Sequence, residues 1–399
     1  MKRRSLVLLS AHLLVVTLTA GCGSGEPGSA SRWGGSVDTL ANGAVLVSNP
    51  ERGLWRDGEE WRLEEDLRIG VMDGDGPELF GEIIALRSDA LGRIYVADSQ
   101  ASEIRVFDMD GRHVRSFGRT GAGPGELARI SGMDWDPDGN LWVMEAGNSR
   151  LSVFDTTGTF LTSHRRPGGF SMMPWAGGLD RDGNVYDMNA ITADLSSPRR
   201  GFIRHDLAFA PRDTFELPEF EQASFDLSDS AGRRRMSVTV PFTPAQFWTL
   251  TPAGDFWIGV NDRYRLHRVS FSGDTTRIVE KPFTPGGVTA AERESAIEDL
   301  SWFTEQGGRI DPSRIPARKP AFGAPFEDSD GYLWVAAIAE AGANTAFDLF
   351  DPEGRYLGRV QAPVEVRMRP VVHDGAMYTY VRDDLGVPYV VRLRIVRTR

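Results

Sequence analysis

The sequence predicts an all-β fold, a six-bladed β-propeller of four-stranded antiparallel blades with two insertions, one of them carrying a short helix. Three observations lead there. A short unit recurs six times along the chain: a polar turn containing Gly, a strand whose second residue is a large aromatic, and a polar loop. A second hairpin follows most copies, and the chain begins with a strand-like segment that its last repeat lacks. Units that cannot bury both faces alone are stabilised by stacking radially on one another.

The unit reads ALGRIYVAD at 90–98, PDGNLWVME at 137–145, RDGNVYDMN at 181–189, PAGDFWIGV at 252–260, SDGYLWVAA at 329–337 and HDGAMYTYV at 373–381. These copies align Tyr95, Trp142, Tyr186, Trp257, Trp334 and Tyr378. Period-2 alternation gives strands with one face turned inward, and Asp-Gly or Ser-Gly fits tight hairpin turns. Second hairpins read IRVFDMDGRHVRSFG at 104–118, LSVFDTTGTFLTSH at 151–164, LHRVSFSGDTTRIV at 266–279 and FDLFDPEGRYLGRV at 347–360. Successive aromatics are 47, 44, 71, 77 and 44 residues apart. A four-stranded blade needs about 40–50 residues, so the two long intervals carry insertions, near 218–247 and 282–325. The last repeat, 373–398, ends before an outer strand. EEWRLEEDLRIG (59–70) with GDGPELFGEI (74–83) mirrors RHVRSFG with GAGPGELARI inside 112–130, which offers an N-terminal strand to finish the C-terminal blade and hide the sheet edges. Residues 42–49 add a further strand or a cap.

Compartment is read from the N-terminus. Lys2, Arg3 and Arg4 precede an apolar run from Leu6 to Leu18, and Thr19, Ala20 and Gly21 lead to Cys22. That order is a secretory signal peptide over 1–21, too short to be a stable membrane span. L-T-A-G-C resembles a bacterial lipobox, with Thr19 where Leu is more usual; the resemblance implies acylation of Cys22, which becomes the new N-terminus. Residues 22–41 are then the lipidated Cys and a flexible tether, and 42–399 the propeller. By resemblance to enterobacterial sorting, Gly23 rather than Asp after the Cys favours the outer membrane. Cys22 is the single Cys, so the exported part forms no internal disulfide.

Net charge is −11, and removal of the basic leader makes the chain more acidic still. An acidic surface argues against nucleic acid and against electrostatic attachment to anionic lipid. Lys occurs only at Lys2, Lys281 and Lys319, so an Arg cluster by itself means little in this sequence.

Residues 90–127, ALGRIYVADSQASEIRVFDMDGRHVRSFGRTGAGPGEL, resemble the NHL-repeat family of propellers, and 137–164 is a weaker second match. The resemblance implies a partner-binding propeller. Some related six-bladed propellers are lactonases or lyases, and fold alone does not choose between these.

Two sets of residues could carry chemistry. Asp134, Asp136, Asp138, Gly139 and Glu145 satisfy D-x-D-x-D-G-x₅-E, a calcium-loop pattern. Against it, Asn140–Met144 read as a strand, no helices flank the loop, and the same turn recurs elsewhere with fewer acids. No cofactor is expected, and Ca²⁺ is the one cation the pattern would admit. The second set lies in the loops joining second and third strands, which gather at one mouth of the channel: Asp98, Glu145, Asp187, Asn189, Asn261, Asp262, Arg263, Glu340 and Asp383. A ring of acids and amides there would bind a cation, a sugar or a basic peptide. The alternative is that each caps its own turn. His113, His164, His205, His267 and His373 are scattered, and no H-E-x-x-H or G-x-S-x-G occurs.

In the second insertion, TAAERESAIEDLSWFT (289–304) reads as a helix with Thr289 and Glu292 as capping box, docked through Ala291, Ile297, Leu300 and Trp302. GGRIDPSRIPARKP (307–320) is a basic loop, and the first insertion holds Arg233, Arg234 and Arg235. A lid over the channel and a solvated loop are both open readings. The function expected is non-catalytic binding of a protein, peptide or glycan at the channel mouth by a membrane-anchored monomer. A metal-dependent lactonase or lyase using the acidic funnel, and a scaffold subunit of an envelope complex, are the alternatives.

Overall fold

The computed structural model describes residues 33–166, 174–192, 199–230, 232–338 and 343–398. The expected signal peptide, Cys22 and the first part of the tether lie outside the described residues, as does Glu340. The folded unit begins at Trp33. The tether therefore ends earlier than the expected residue 41, because Ser36–Thr39 (β1) pairs antiparallel with Val45–Ser48 (β2). Next in the chain comes Arg62–Ile69 (β3).

Six blades follow. Blade 1 is β4 (Ile83–Ser88), β5 (Ile94–Asp98), β6 (Glu103–Phe107) and β7 (His113–Phe117). Blade 2 is β8 (Ile130–Trp135), β9 (Leu141–Glu145), β10 (Arg150–Phe154) and β11 (Phe160–Arg165). Blade 3 is β12 (Gly178–Leu179), β13 (Val185–Ala190), β14 (Arg200–His205) and β15 (Pro211–Glu216). After a hairpin of β16 (Ser224–Ser228) and β17 (Arg234–Thr239), blade 4 is β18 (Gln246–Leu250), β19 (Phe256–Val260), β20 (Arg265–Val269) and β21 (Thr275–Glu280). Two helices intervene, α1 (Ala290–Glu298) and α2 (Ser301–Glu305). Blade 5 is β22 (Pro325–Glu327), β23 (Leu333–Ala336), β24 (Ala346–Phe350) and β25 (Tyr356–Gln361). Blade 6 is β26 (Val371–His373), β27 (Ala376–Arg382) and β28 (Pro388–Val396), completed by β3. Its closing pairs run from Val390↔Ile69 to Val396↔Arg62. The other N-terminal strands extend blade 4, where β2 runs parallel to β21.

Each aligned aromatic lies in the seam between its own blade and the next. Tyr95 packs with Leu141 and Phe154 of blade 2, Trp142 with Val185, Tyr186 with Phe256, Trp257 with Leu333 and Phe350, Trp334 with Met377 and Leu393, and Tyr378 with Ile94 and Phe107. Full burial of one such side chain contributes about 1.5–3 kcal/mol, so the repeat supplies a hydrophobic core at every seam. Three of the aromatics also use a polar handle. Trp142 Nε1 donates to Asp136 Oδ2 at 3.0 Å, Tyr186 Oη to Asp180 Oδ2 at 2.8 Å and Trp334 Nε1 to Asp328 Oδ2 at 2.9 Å. In each case the Asp opens the preceding hairpin turn and also accepts turn amides, as Asp136 Oδ1 does from Asn140 N at 2.8 Å. Gly139 (φ +80°) supplies the left-handed residue this turn needs.

The two insertions form one structure. Phe225, Val238 and Val240 of the first bury Phe303 and Ile315 of the second, with Ile297 and Leu300 packed alongside. Thr289 and Glu292 form the capping box expected of them. The expected docking set is otherwise corrected: Ala291 is exposed and Trp302 is 44 % exposed, whereas Phe303 is fully buried. The helices turn so that Phe303, one position on, faces the hairpin. Arg293 ties the irregular loop down by donating to the carbonyl oxygens of Pro312, Ile315 and Pro316.

Candidate functional site

Among the described residues, those expected at the channel mouth do not form a ring. Asp98 is fully buried, and its carboxylate accepts from the backbone N–H groups of Gly81, Glu82, Gln100 and Ala101 at 2.8–3.1 Å. Arg105 lies 3.5 Å from it and reaches the carbonyl oxygens of Pro77 and Leu79. Glu145 repeats this in blade 2. Also fully buried, it accepts from Ala128 N (3.1 Å), Asn148 Nδ2 (2.6 Å), Ser152 Oγ and Arg150 Nε (2.8 Å). Asn261 is the neutral version in blade 4, accepting from Ala245 N at 2.7 Å and donating to the Phe322 carbonyl at 2.6 Å. All three terminate a second strand and peg down the connection that enters their blade. A buried carboxylate saturated by amides and Arg is a structural anchor.

The remaining mouth candidates disperse. Asp187 is buried, with Oδ2 on Arg166 Nε at 2.6 Å and Oδ1 without a partner. Asn189 is half-buried at the end of β13. Asp383 is exposed and caps its own turn through Leu385 N and Val387 N. Asp262 and Arg263 are exposed, 3.9 Å apart, and line a groove described below.

The calcium-loop pattern is likewise pulled apart. Asp136 is occupied by Asn140 and Trp142, Asp138 is exposed at the tip of the turn, and Glu145 sits at the far end of β9. Asp134 lines the channel, where Oδ1 accepts from Arg87 Nε at 2.9 Å and Oδ2 from Leu179 N at 3.0 Å. The reason is the β-hairpin: an EF-hand loop wraps around its ion, whereas here a strand carries the last acid away from the others. Among the described residues no group of three or more His, Cys, Asp or Glu converges to hold a metal.

Two concave sites stand out among the described residues instead. The central channel encloses about 470 Å³ and is lined by the first strand of every blade. Its charged residues include Arg87, Asp134, Glu327, Asp328 and Arg369. Glu327 is engaged by Trp257 Nε1 at 2.7 Å and Arg268 at 3.6 Å; burial raises its carboxyl above the ordinary range, with Arg268 opposing.

The second is a groove of about 870 Å³ along the seam of blades 3 and 4. One wall is the end of β15 and the segment after it, with Phe215, Leu217 and Phe220; the other is Ile258, Val260 and Val269. Arg265 and His267 alternate with Leu266 on β20, so both turn toward the groove while Leu266 packs into the opposite seam. Arg265 pairs with Glu280 at 3.3 Å, and among the described residues its buried Nε has no hydrogen-bond partner. Burial, with Arg265 and Arg263 adding to it, lowers the His267 pKa below its ordinary value. Asp262 and Arg263, expected at the channel mouth, line this groove instead.

No helix among the described residues is long and apolar enough to cross a membrane. Residues 78–215, which span blades 1 to 3, match the model of a family described as 6-bladed beta-propeller. No curated protein matches the sequence. Among solved structures, a candidate exported protein from Bacteroides fragilis is similar over 89 % of this chain and 100 % of its own length, at 15 % identity and a TM-score of 0.54. A member of the DUF4221 family from Bacteroides vulgatus is similar over 85 % of this chain and 99 % of its own, at 11 % identity and a TM-score of 0.51. Strand pairing, seam packing and these matches agree that the chain is a six-bladed β-propeller of mostly four-stranded antiparallel blades.

Proposed function

We propose that this protein is a non-catalytic binding propeller of the bacterial cell envelope, anchored through an acylated Cys22, which holds an extended segment of a partner protein or peptide in the groove between blades 3 and 4. The groove carries this reading: it has apolar walls and charged groups of both signs along its length. A few fixed polar groups in an apolar cleft are what a specific binding site requires. Apolar side chains of a peptide suit Phe215, Leu217, Phe220 and Val260 better than a glycan does, and Asp262, Arg263 and Arg265 offer partners to peptide charges. The acids that an enzyme would use at the mouth are committed to backbone amides and arginines, which supports binding over catalysis. For the anchor, the support is the order Lys2–Arg4, Leu6–Leu18, then Ala20-Gly21-Cys22.

The test is selection of peptides from a displayed random library on the wild-type protein, followed by binding to Val260→Arg, which fills the groove. Selected peptides are expected to lose at least about tenfold in affinity on this variant, a loss of about 1.4 kcal/mol. Equal binding to both proteins contradicts the assignment. Incorporation of labelled palmitate into wild type and its absence from Cys22→Ala tests the anchor separately.

A further inference from the structure

We infer that the central channel holds a second, separate site, for a small molecule carrying one carboxylate or phosphate, built around Arg369 and Arg87. The inference is independent of the groove.

Arg87 and Asp134 occupy equivalent positions, each eight residues before the aligned aromatic of its blade (Tyr95 and Trp142). They meet across the seam at 2.9 Å and neutralise each other. Arg369, on the segment leading into β26, lines the same cavity. It donates through Nη2 to the Leu250 carbonyl at 3.2 Å, and among the described residues no carboxylate comes within ion-pair distance of it. Its side chain is exposed toward the lumen. Arg87 opposes its charge and Asp134 supports it.

Two guanidiniums therefore line one cavity, and only that of Arg87 has a carboxylate partner among the described residues. A guanidinium presents five N–H donors in a planar fork matched to carboxylate or phosphate oxygens. Arg369 has donors unspent and, among the described residues, no counter-ion. The acids farther along the channel do not supply it: Glu327 is held by Trp257 and Arg268, and Asp328 by Trp334 and the turn amides of Asp330 and Tyr332. A single anionic group between Arg369 and Arg87 completes the balance that Asp134 half-supplies. The lumen, at about 470 Å³, admits a small molecule and excludes a folded partner.

The experiment is calorimetric titration of the full chain with sodium phosphate and, separately, with sodium acetate, at constant ionic strength in chloride, on wild type, Arg369→Gln and Asp134→Asn. Saturable binding of one equivalent to wild type is expected. Loss of the Arg369 hydrogen bonds should weaken it about tenfold or more. Asp134→Asn removes the competing carboxylate and should tighten it at least about threefold. A response to phosphate alone identifies a phosphate ligand, and a response to acetate as well identifies a carboxylate. Should Arg369→Gln fail to fold, the opposite sign expected of Asp134→Asn still decides. Equal affinity in wild type and Asp134→Asn, or no saturable binding of either anion to wild type, overturns the inference.

Discussion

The side chain of Asn49 accepts a hydrogen bond from the backbone N–H of Tyr356 at 2.6 Å, across 307 residues of sequence. Its Nδ2 donates to the carbonyl oxygens of Glu280 (3.2 Å) and Gly354 (3.0 Å), so one buried amide joins the N-terminal arm to blades 4 and 5. The arm runs on to pair Leu54 and Trp55 with β25 before β3 closes blade 6. Closure is thus a strap across three blades. Asn49→Ala leaves the Tyr356 amide and the Gly354 carbonyl buried without partners, and should cost about 2–4 kcal/mol in urea unfolding.

The repeat turn makes a paired prediction. Asp136→Ala strands Trp142 Nε1 and the Asn140 amide, and should destabilise by about 2–4 kcal/mol. Asp138→Ala, at the exposed tip of the same turn, should stay within about 0.5 kcal/mol of wild type. Thermal melts of both variants, in calcium and in chelator, separate a turn cap from a cation loop. A calcium-dependent melt lost equally in both variants would restore the loop.

The insertion carries a pH-dependent contact. Lys319, followed by the Thr289 amide and hydroxyl, holds the Glu292 carboxyl down to about 2, against 4.5 for the free group. A carboxyl depressed on folding lends stability that is present above pH 4.5 and is lost as pH falls through about 2. Trp302 fluorescence should therefore report loosening of α1 and α2 between pH 4.5 and 2, and Glu292→Gln should flatten that transition.

Much of this architecture is legible in the sequence because the repeat encodes it locally. Turn Asp, Gly and aromatic lie within seven residues of one another, and that spacing alone places Trp142 over Asp136. The burial of Asp98 and Glu145 is not legible in the sequence, for a related reason. Position at the end of a second strand reveals which end of the blade Asp98 and Glu145 occupy, but not that their side chains turn into the seam to hold an incoming connection. That choice is made by Gly81, Glu82 and Ala128, some 16 or 17 residues away. Arg87 and Asp134 did carry a signal, their shared offset of eight residues before the aromatic, since that register faces the channel. Arg369 carried none, because the segment that brings it inward matches no repeat. The shared core of the insertions was equally hidden: Phe225 and Phe303 are brought together only by closure of blade 4 between them.

The proposed function seats the partner in the groove between blades 3 and 4. Hydrogen–deuterium exchange of the full chain, with and without a saturating selected peptide, tests it most directly. Protection concentrated in residues 215–220 and 258–269 is the predicted result. Protection confined to other blades, with these two segments exchanging as in the free protein, would contradict it.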